Sequence, residues 1–182
     1  MSAKKETFKY CSSFIISSHC REIHKRSEVY IGRLGGNFVG TEFELYTVRG
    51  GVESLRVKIS YEKNIIGFMG PRSFRVVKVD PSVAQEKYGA GLAAVLERNE
   101  RSKLVELTTV RPRMVRGRYR LDFGGRVRVP SAKNFILGEG LGSVLFGGVG
   151  VDRYVVEVGY PFSLFEAFGV CLSSLDSKML VN

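Results

Sequence analysis

Residues 160–180, YPFSLFEAFGVCLSSLDSKML, decide the fold. From Ser163 to Leu175 they predict a helix, with good helix formers and no internal proline. Ser163 and Glu166, three residues apart, form a capping box in which each side chain satisfies a backbone N–H of the first turn. Pro161 suits a helix entrance because its ring already holds φ near the helical value. Leu164, Phe165, Ala167, Phe168, Val170, Cys171, Leu172 and Leu175 leave almost no polar face. A helix that is apolar all round must be buried all round. The rest of this 182-residue chain has to supply its wall.

Most of that rest alternates with period two. SSFIIS, EVYIGRL, FELYTV, SLRVKISYE, FRVVKV, LVELTTV, GRYRLDF, RVRVP, NFILG and RYVVEVGY all read as strands. In SLRVKISYE, Leu55, Val57, Ile59 and Tyr61 point one way and Arg56, Lys58 and Ser60 the other. The 21 glycines fall largely at turns, and GEGLGSVLFGGVG reads as a flexible hairpin connection. Only residues 89–103 offer a second helix. No repeat or linker divides the chain, so residues 1–182 are expected to form one domain. Many short strands around one apolar helix predict an all-β fold with one buried helix: a closed antiparallel barrel threaded by Ser163–Leu175.

Composition narrows the function. With 28 Lys+Arg against 18 Asp+Glu the net charge is +10, which predicts an anionic partner: a lipid surface, nucleic acid or an acidic protein. Three cysteines make neither a disulfide set nor a zinc ladder, and a reducing compartment fits them. No signal peptide follows Met1, and no apolar run is long enough to span a bilayer. Cys11, His19, Cys20 and His24 fit no common zinc spacing. The glycine-rich segment lacks G-K-[ST], Ser143 is not in G-x-S-x-G, and the two histidines share one N-terminal segment. Neither catalysis nor a cofactor is expected.

The densest charge is RPRMVRGRYRLDFGGRVRV, residues 111–129. Arg116, Arg118 and Arg120 are expected on one strand face opposite Val115, Tyr119 and Leu121, with Arg126 and Arg128 continuing after the glycines. This basic surface reads either as a solvated outer face or as a platform for anionic membrane. Nucleic-acid backbone is a further partner, but aromatic residues do not alternate with the arginines as base stacking requires.

Four stretches carry more than periodicity: VYIGRLGGNFVGTEFELY, SYEKNIIGFMGPRSFRV, LDFGGRVRVPSAKNFIL and YPFSLFEAFGVCLSSLDSKM. In this order, over Ser12 to Met179, they resemble the C-terminal domain of the Tubby-like proteins. The resemblance implies a closed barrel of about twelve strands around a central helix. It also implies non-catalytic, peripheral binding of phosphoinositides such as phosphatidylinositol 4,5-bisphosphate, at the inner face of the plasma membrane, with a nuclear role as well. The chain starts late in the family pattern, so the barrel is expected to lack the family's first strands.

The family's headgroup site, carried over position by position, puts Arg33 where a lysine stands, Gly35 where an arginine stands, Ser13 for an asparagine, and Tyr46 for a tyrosine. Arg56 falls near a further base, and Lys58 is a candidate to compensate for Gly35. A guanidinium at position 33 grips phosphate bidentately. Losing a base at position 35 removes a charged hydrogen bond of about 1.5–3 kcal/mol, a roughly ten- to hundredfold loss of affinity. The alternative is a basic nucleic-acid-associated or regulatory scaffold that keeps the barrel without lipid specificity. A scramblase-like lipid handler is a third reading, for which the terminal helix is too short. A monomer is expected.

Overall fold

The computed structural model describes residues 1–7, 11–62, 72–83, 91–139 and 142–176. Seven strands run in sequence order as an antiparallel meander: β1 (Ser2–Thr7), β2 (Ser12–Ser17), β3 (Tyr30–Gly36), β4 (Glu42–Arg49), β5 (Val52–Tyr61), β6 (Phe74–Val79) and β7 (Leu104–Thr108). A short helix, α1 (Leu92–Glu97), lies against β5 and β6 and is followed by a 3₁₀ turn at Arg101–Lys103. Then come a two-stranded hairpin, β8 (Arg113–Val115) and β9 (Arg118–Arg120), and a three-stranded sheet, β10 (Phe135–Leu137), β11 (Val144–Gly150) and β12 (Arg153–Val158). Helix α2 (Leu164–Leu175) follows.

The inward residues of β2–β6, among them Phe14, Ile16, Leu34, Leu45, Val57, Ile59 and Val76, form one core with Phe135, Leu137, Val144 and Phe146 of the smaller sheet and with α2. An aromatic series crosses it: Phe43, Tyr61, Phe74, Phe135, Phe146 and Tyr154 touch in turn, with centroids 4.7–5.8 Å apart. Edge-on and tilted ring pairs of this kind are favourable beyond their burial alone. The Phe74–Phe135 contact joins the two sheets, as does the bridge between Thr109 and Leu137.

The expected helix is present with Ser163 as its N-cap, and both halves of the capping box are made. Its first residue, Leu164, is 69% exposed, so the burial expected all round begins one turn in. Its far end is tied down at three residues. Tyr61 and Ser173 share a hydrogen bond of 2.9 Å, Ser174 Oγ donates to the Lys133 carbonyl, and the Asp176 carboxylate accepts from Ser12 Oγ and Lys5 Nζ. Burial pushes the Cys171 thiol on this helix up to about 12.

Three expectations change. In place of one closed barrel, two antiparallel sheets pack on α2, and among the described residues no ladder joins β12 back to β1. The outer strand β12 is largely exposed and carries Arg153 and Glu157, charges that suit an edge. Second, Val144–Gly150 is the buried middle strand of its sheet, not a flexible connection. Glycine is needed there for close approach: a Cβ on Gly147 would lie 2.2 Å from Val127 Cγ2, and one on Gly148 3.0 Å from Val129 Cβ. Third, RVRVP forms no strand; it meets β11 through the Val129–Gly148 bridge, the backbone bonds around it and the valine side chains packed on the two glycines. The Y-E-x-N block from Lys63 to Pro71 and the helix's trailing Ser177–Met179 lie outside the described residues.

Candidate anion-binding face

Cross-strand partners in an antiparallel sheet share a face. Arg33 pairs with Ile15 and Tyr46, while Gly35 pairs with Ser13 and Glu44, and Glu44 with Lys58. Ser13, Arg33, Tyr46 and Lys58 are thereby gathered on the face away from the core, in two adjacent rows. Four of the five candidate headgroup residues therefore share this face.

Arg56 does not join them. The β4–β5 register shifts between Leu45 and Tyr46: Leu45 pairs with Val57, but Tyr46 with Leu55, leaving Arg56 as the extra residue of a bulge. A bulge re-aims the side chain it inserts. Arg56 reaches instead toward Glu166, its Nη2 3.8 Å from Oε1.

Arg33 lies over the Tyr46 ring, 4.1 Å from guanidinium carbon to centroid. It also donates through Nε and Nη2 to the Glu53 carboxylate at 2.9–3.0 Å. A Cβ on Gly35 would sit 3.2 Å from Arg33 Nη1, so the arginine spreads over the space a side chain at position 35 would need. Lys58 is held by Glu44 at 3.1 Å, and Tyr46 donates to the same carboxylate at 2.6 Å. The tyrosine hydroxyl, followed by Lys58, lowers the Glu44 carboxyl below its ordinary range. The Arg33 fork does the same to Glu53, and Glu53 in return raises Arg33. Two cations on this face thus already hold two carboxylates.

The sequence missed a second charged site, at the start of α2. Lys78 is 2% exposed and Glu166 3%, and Lys78 Nζ donates to Glu166 Oε2 at 2.7 Å and to the Pro161 carbonyl. The same Oε2 accepts from Ser163 N in the capping box. The signal was available: Phe74, Val76 and Lys78 are in phase, which puts the lysine on the core face.

The basic stripe becomes the β8–β9 hairpin. Arg113 faces Arg120, Met114 faces Tyr119 and Val115 faces Arg118, so Val115 shares the arginine face while Met114 and Tyr119 take the other. Arg116 is not on the strand; with Gly117 it forms the two-residue turn, both at positive φ. Arg126 lies apart, paired with Glu157, and Arg128 lines a cleft of about 590 Å³ with Tyr119, Arg120, Phe123 and Val127. Among the described residues no group of three or more His, Cys, Asp or Glu side chains gathers as a metal site, and no helix is long and apolar enough to cross a membrane.

Comparison with known proteins agrees with the motif pattern. The chain is 31% identical over 205 residues to the human Tubby-related protein 3, covering 98% of this chain and 46% of that one. It is 27% identical over 235 residues to Tubby-like F-box protein 11 of Arabidopsis thaliana, with 93% and 60% covered, and 29% identical over 203 residues to the mouse Tubby-related protein 1, with 98% and 37% covered. It spans roughly half the length of such relatives. The Tub family model matches residues 1–177, and the chain belongs to that family.

Proposed function

We propose that this chain is a non-catalytic, peripheral membrane domain whose outer β2–β5 face takes a phosphoinositide headgroup of the phosphatidylinositol 4,5-bisphosphate kind. The observation that carries this is the posture of Arg33. Its guanidinium lies over the Tyr46 ring and already grips the two oxygens of Glu53, and a phosphate offers an equivalent pair of acceptors. Ser13 and Lys58 lie on the same face to take further phosphate oxygens. Glu53 and Glu44 must give way to the headgroup, and position 35 contributes no charge, so affinity at this face is modest. The same reading takes the two sheets as sides of one closed barrel, and puts the protein in the cytoplasm at the inner face of the plasma membrane, as a monomer.

The test is vesicle co-sedimentation with phosphatidylinositol 4,5-bisphosphate against phosphatidylserine at matched surface charge and physiological salt. A preference for the phosphoinositide that falls about tenfold with Arg33→Ala is expected. Equal binding to both lipids, or a preference untouched by Arg33→Ala, would overturn it. The second reading, a basic scaffold for nucleic acid or protein that retains the fold without lipid specificity, is favoured by Gly35 and by the two glutamates. It takes the lead if no headgroup preference exists.

A further inference from the structure

The β8–β9 hairpin breaks local rules that the rest of the chain keeps. Arg113 stands directly opposite Arg120, a like-charge pair that destabilises a ladder. Arg116 holds φ +50° in a turn position that asparagine, aspartate or glycine fills at lower cost. From Arg111 to Leu121 there is no acidic residue. Among the described residues Arg113, Arg116, Arg118 and Arg120 make no ion pair, and neither does Arg128 in the adjoining cleft. All six strand residues are exposed, including Met114 at 56%, Tyr119 at 49% and Val115 at 39%. Locally unfavourable choices without a compensating contact inside the fold mark a functional element.

We infer that this hairpin is a second membrane-docking element: a finger that sets Met114, Val115 and Tyr119 into the interface of an anionic bilayer while its four arginines meet lipid phosphates. Apolar and aromatic side chains flanked by long cations suit the boundary between headgroups and acyl chains, where each group finds its own medium. Charge complementarity supplies the attraction, at about 1 kcal/mol, or roughly fivefold, per arginine near the surface. Nucleic-acid backbone would satisfy the arginines but leave Met114 and Val115 in water, and Tyr119 is the only ring on the hairpin to stack on a base.

The finger is independent of the Arg33 face. Its root is fixed by Arg111, paired with Glu62 just past β5, whereas the Arg33 row crosses β5 at Leu55. That separation is about 20 Å along the strand. The inference extends the membrane reading of the chain without requiring Arg33 to bind a headgroup.

The chain contains no tryptophan, so Tyr119→Trp places a single fluorophore on the finger. Adding phosphatidylcholine vesicles containing phosphatidylserine should shift its emission to the blue, and vesicles of phosphatidylcholine alone should not. Arg116→Asn should weaken sedimentation with the phosphatidylserine vesicles about fivefold while leaving the melting temperature equal or higher, because asparagine relieves the turn. The double change Met114→Ser with Tyr119→Ser, which conserves charge, should weaken it about tenfold or more. Arg33→Ala in parallel should lower the preference for phosphatidylinositol 4,5-bisphosphate over phosphatidylserine at matched charge and retain the blue shift of Tyr119→Trp, so loss of the headgroup site and loss of the finger are separately visible. An emission unmoved by phosphatidylserine vesicles, or wild-type binding by the double variant, would overturn the inference. So would a response to a single-stranded oligonucleotide at physiological salt with none to vesicles.

Discussion

The Arg33 face and the β8–β9 hairpin are both rich in arginine or lysine, yet they treat charge in opposite ways. On the face every central cation has a carboxylate: Glu53 for Arg33 and Glu44 for Lys58. At the nearby start of α2 the pairing goes further, with Lys78 and Glu166 closed away from water. On the hairpin, among the described residues, the arginines have no acid at all. Paired charges fix side-chain geometry and make an anion compete for its place; unpaired ones leave the field open and act at a distance. The number of basic residues therefore says little about where an anion binds first. Their partners decide it.

The sharpest way to break this contrast is at Lys78. Removing one partner of a buried, hydrogen-bonded pair strands the other, at about 3–5 kcal/mol. Lys78→Ala should lower the melting temperature by about 10 °C, read by circular dichroism. A fall within the range of an ordinary surface substitution would mean that the buried pair contributes little to the fold.

Glu53 sharpens the contrast from the other side. Glu53→Gln frees the Arg33 fork and should raise phosphatidylinositol 4,5-bisphosphate affinity about tenfold, measured by vesicle titration, with a loss of stability below about 1 kcal/mol. Acid should act in the same direction. The Arg33 fork holds the Glu53 carboxyl below the ordinary carboxylate range, so the pair's small contribution to stability is present above that range and lost as pH falls through the lowered value. Headgroup binding per Arg33 should rise over that same interval.

The smallest effect belongs to the hairpin. Arg118→Gln or Arg120→Gln should move stability by less than about 0.5 kcal/mol, because among the described residues neither guanidinium makes an ion pair and both side chains are exposed. A clear loss of melting temperature would show that these arginines do structural work after all.

What the sequence disclosed follows from how far each signal reaches. The helix and its capping box are written within four residues, Ser163 to Glu166, and both are present. Strand alternation is local too, and it placed most of β2–β6 in phase. The bulge at Arg56 depends on which residue of β4 pairs with which of β5, and nothing inside SLRVKISYE announces it. Glycines 147 and 148 look like a turn unless the valines packed on them are known. The two glutamates that occupy the candidate face lie on strands other than Arg33's own, so their competition with a headgroup appears only once the sheet is assembled. Lys78 is the exception: its phase was legible and its burial followed from it.

The order of the elements along the chain also has a consequence in time. Among the described residues the ladders of β1 to β7 join sequence neighbours, so the meander can form hairpin by hairpin as the chain leaves the ribosome. Its inner face, lined by Leu34, Leu45, Val57 and Ile59, is covered by α2, whose Glu166 lies 88 positions beyond Lys78 and whose Asp176 lies 164 beyond Ser12. At about 5–20 residues per second, roughly 5–20 s of synthesis separate β6 from the helix that shields it. Throughout that interval the newborn sheet shows water, and any neighbouring chain, the apolar wall that the finished protein hides.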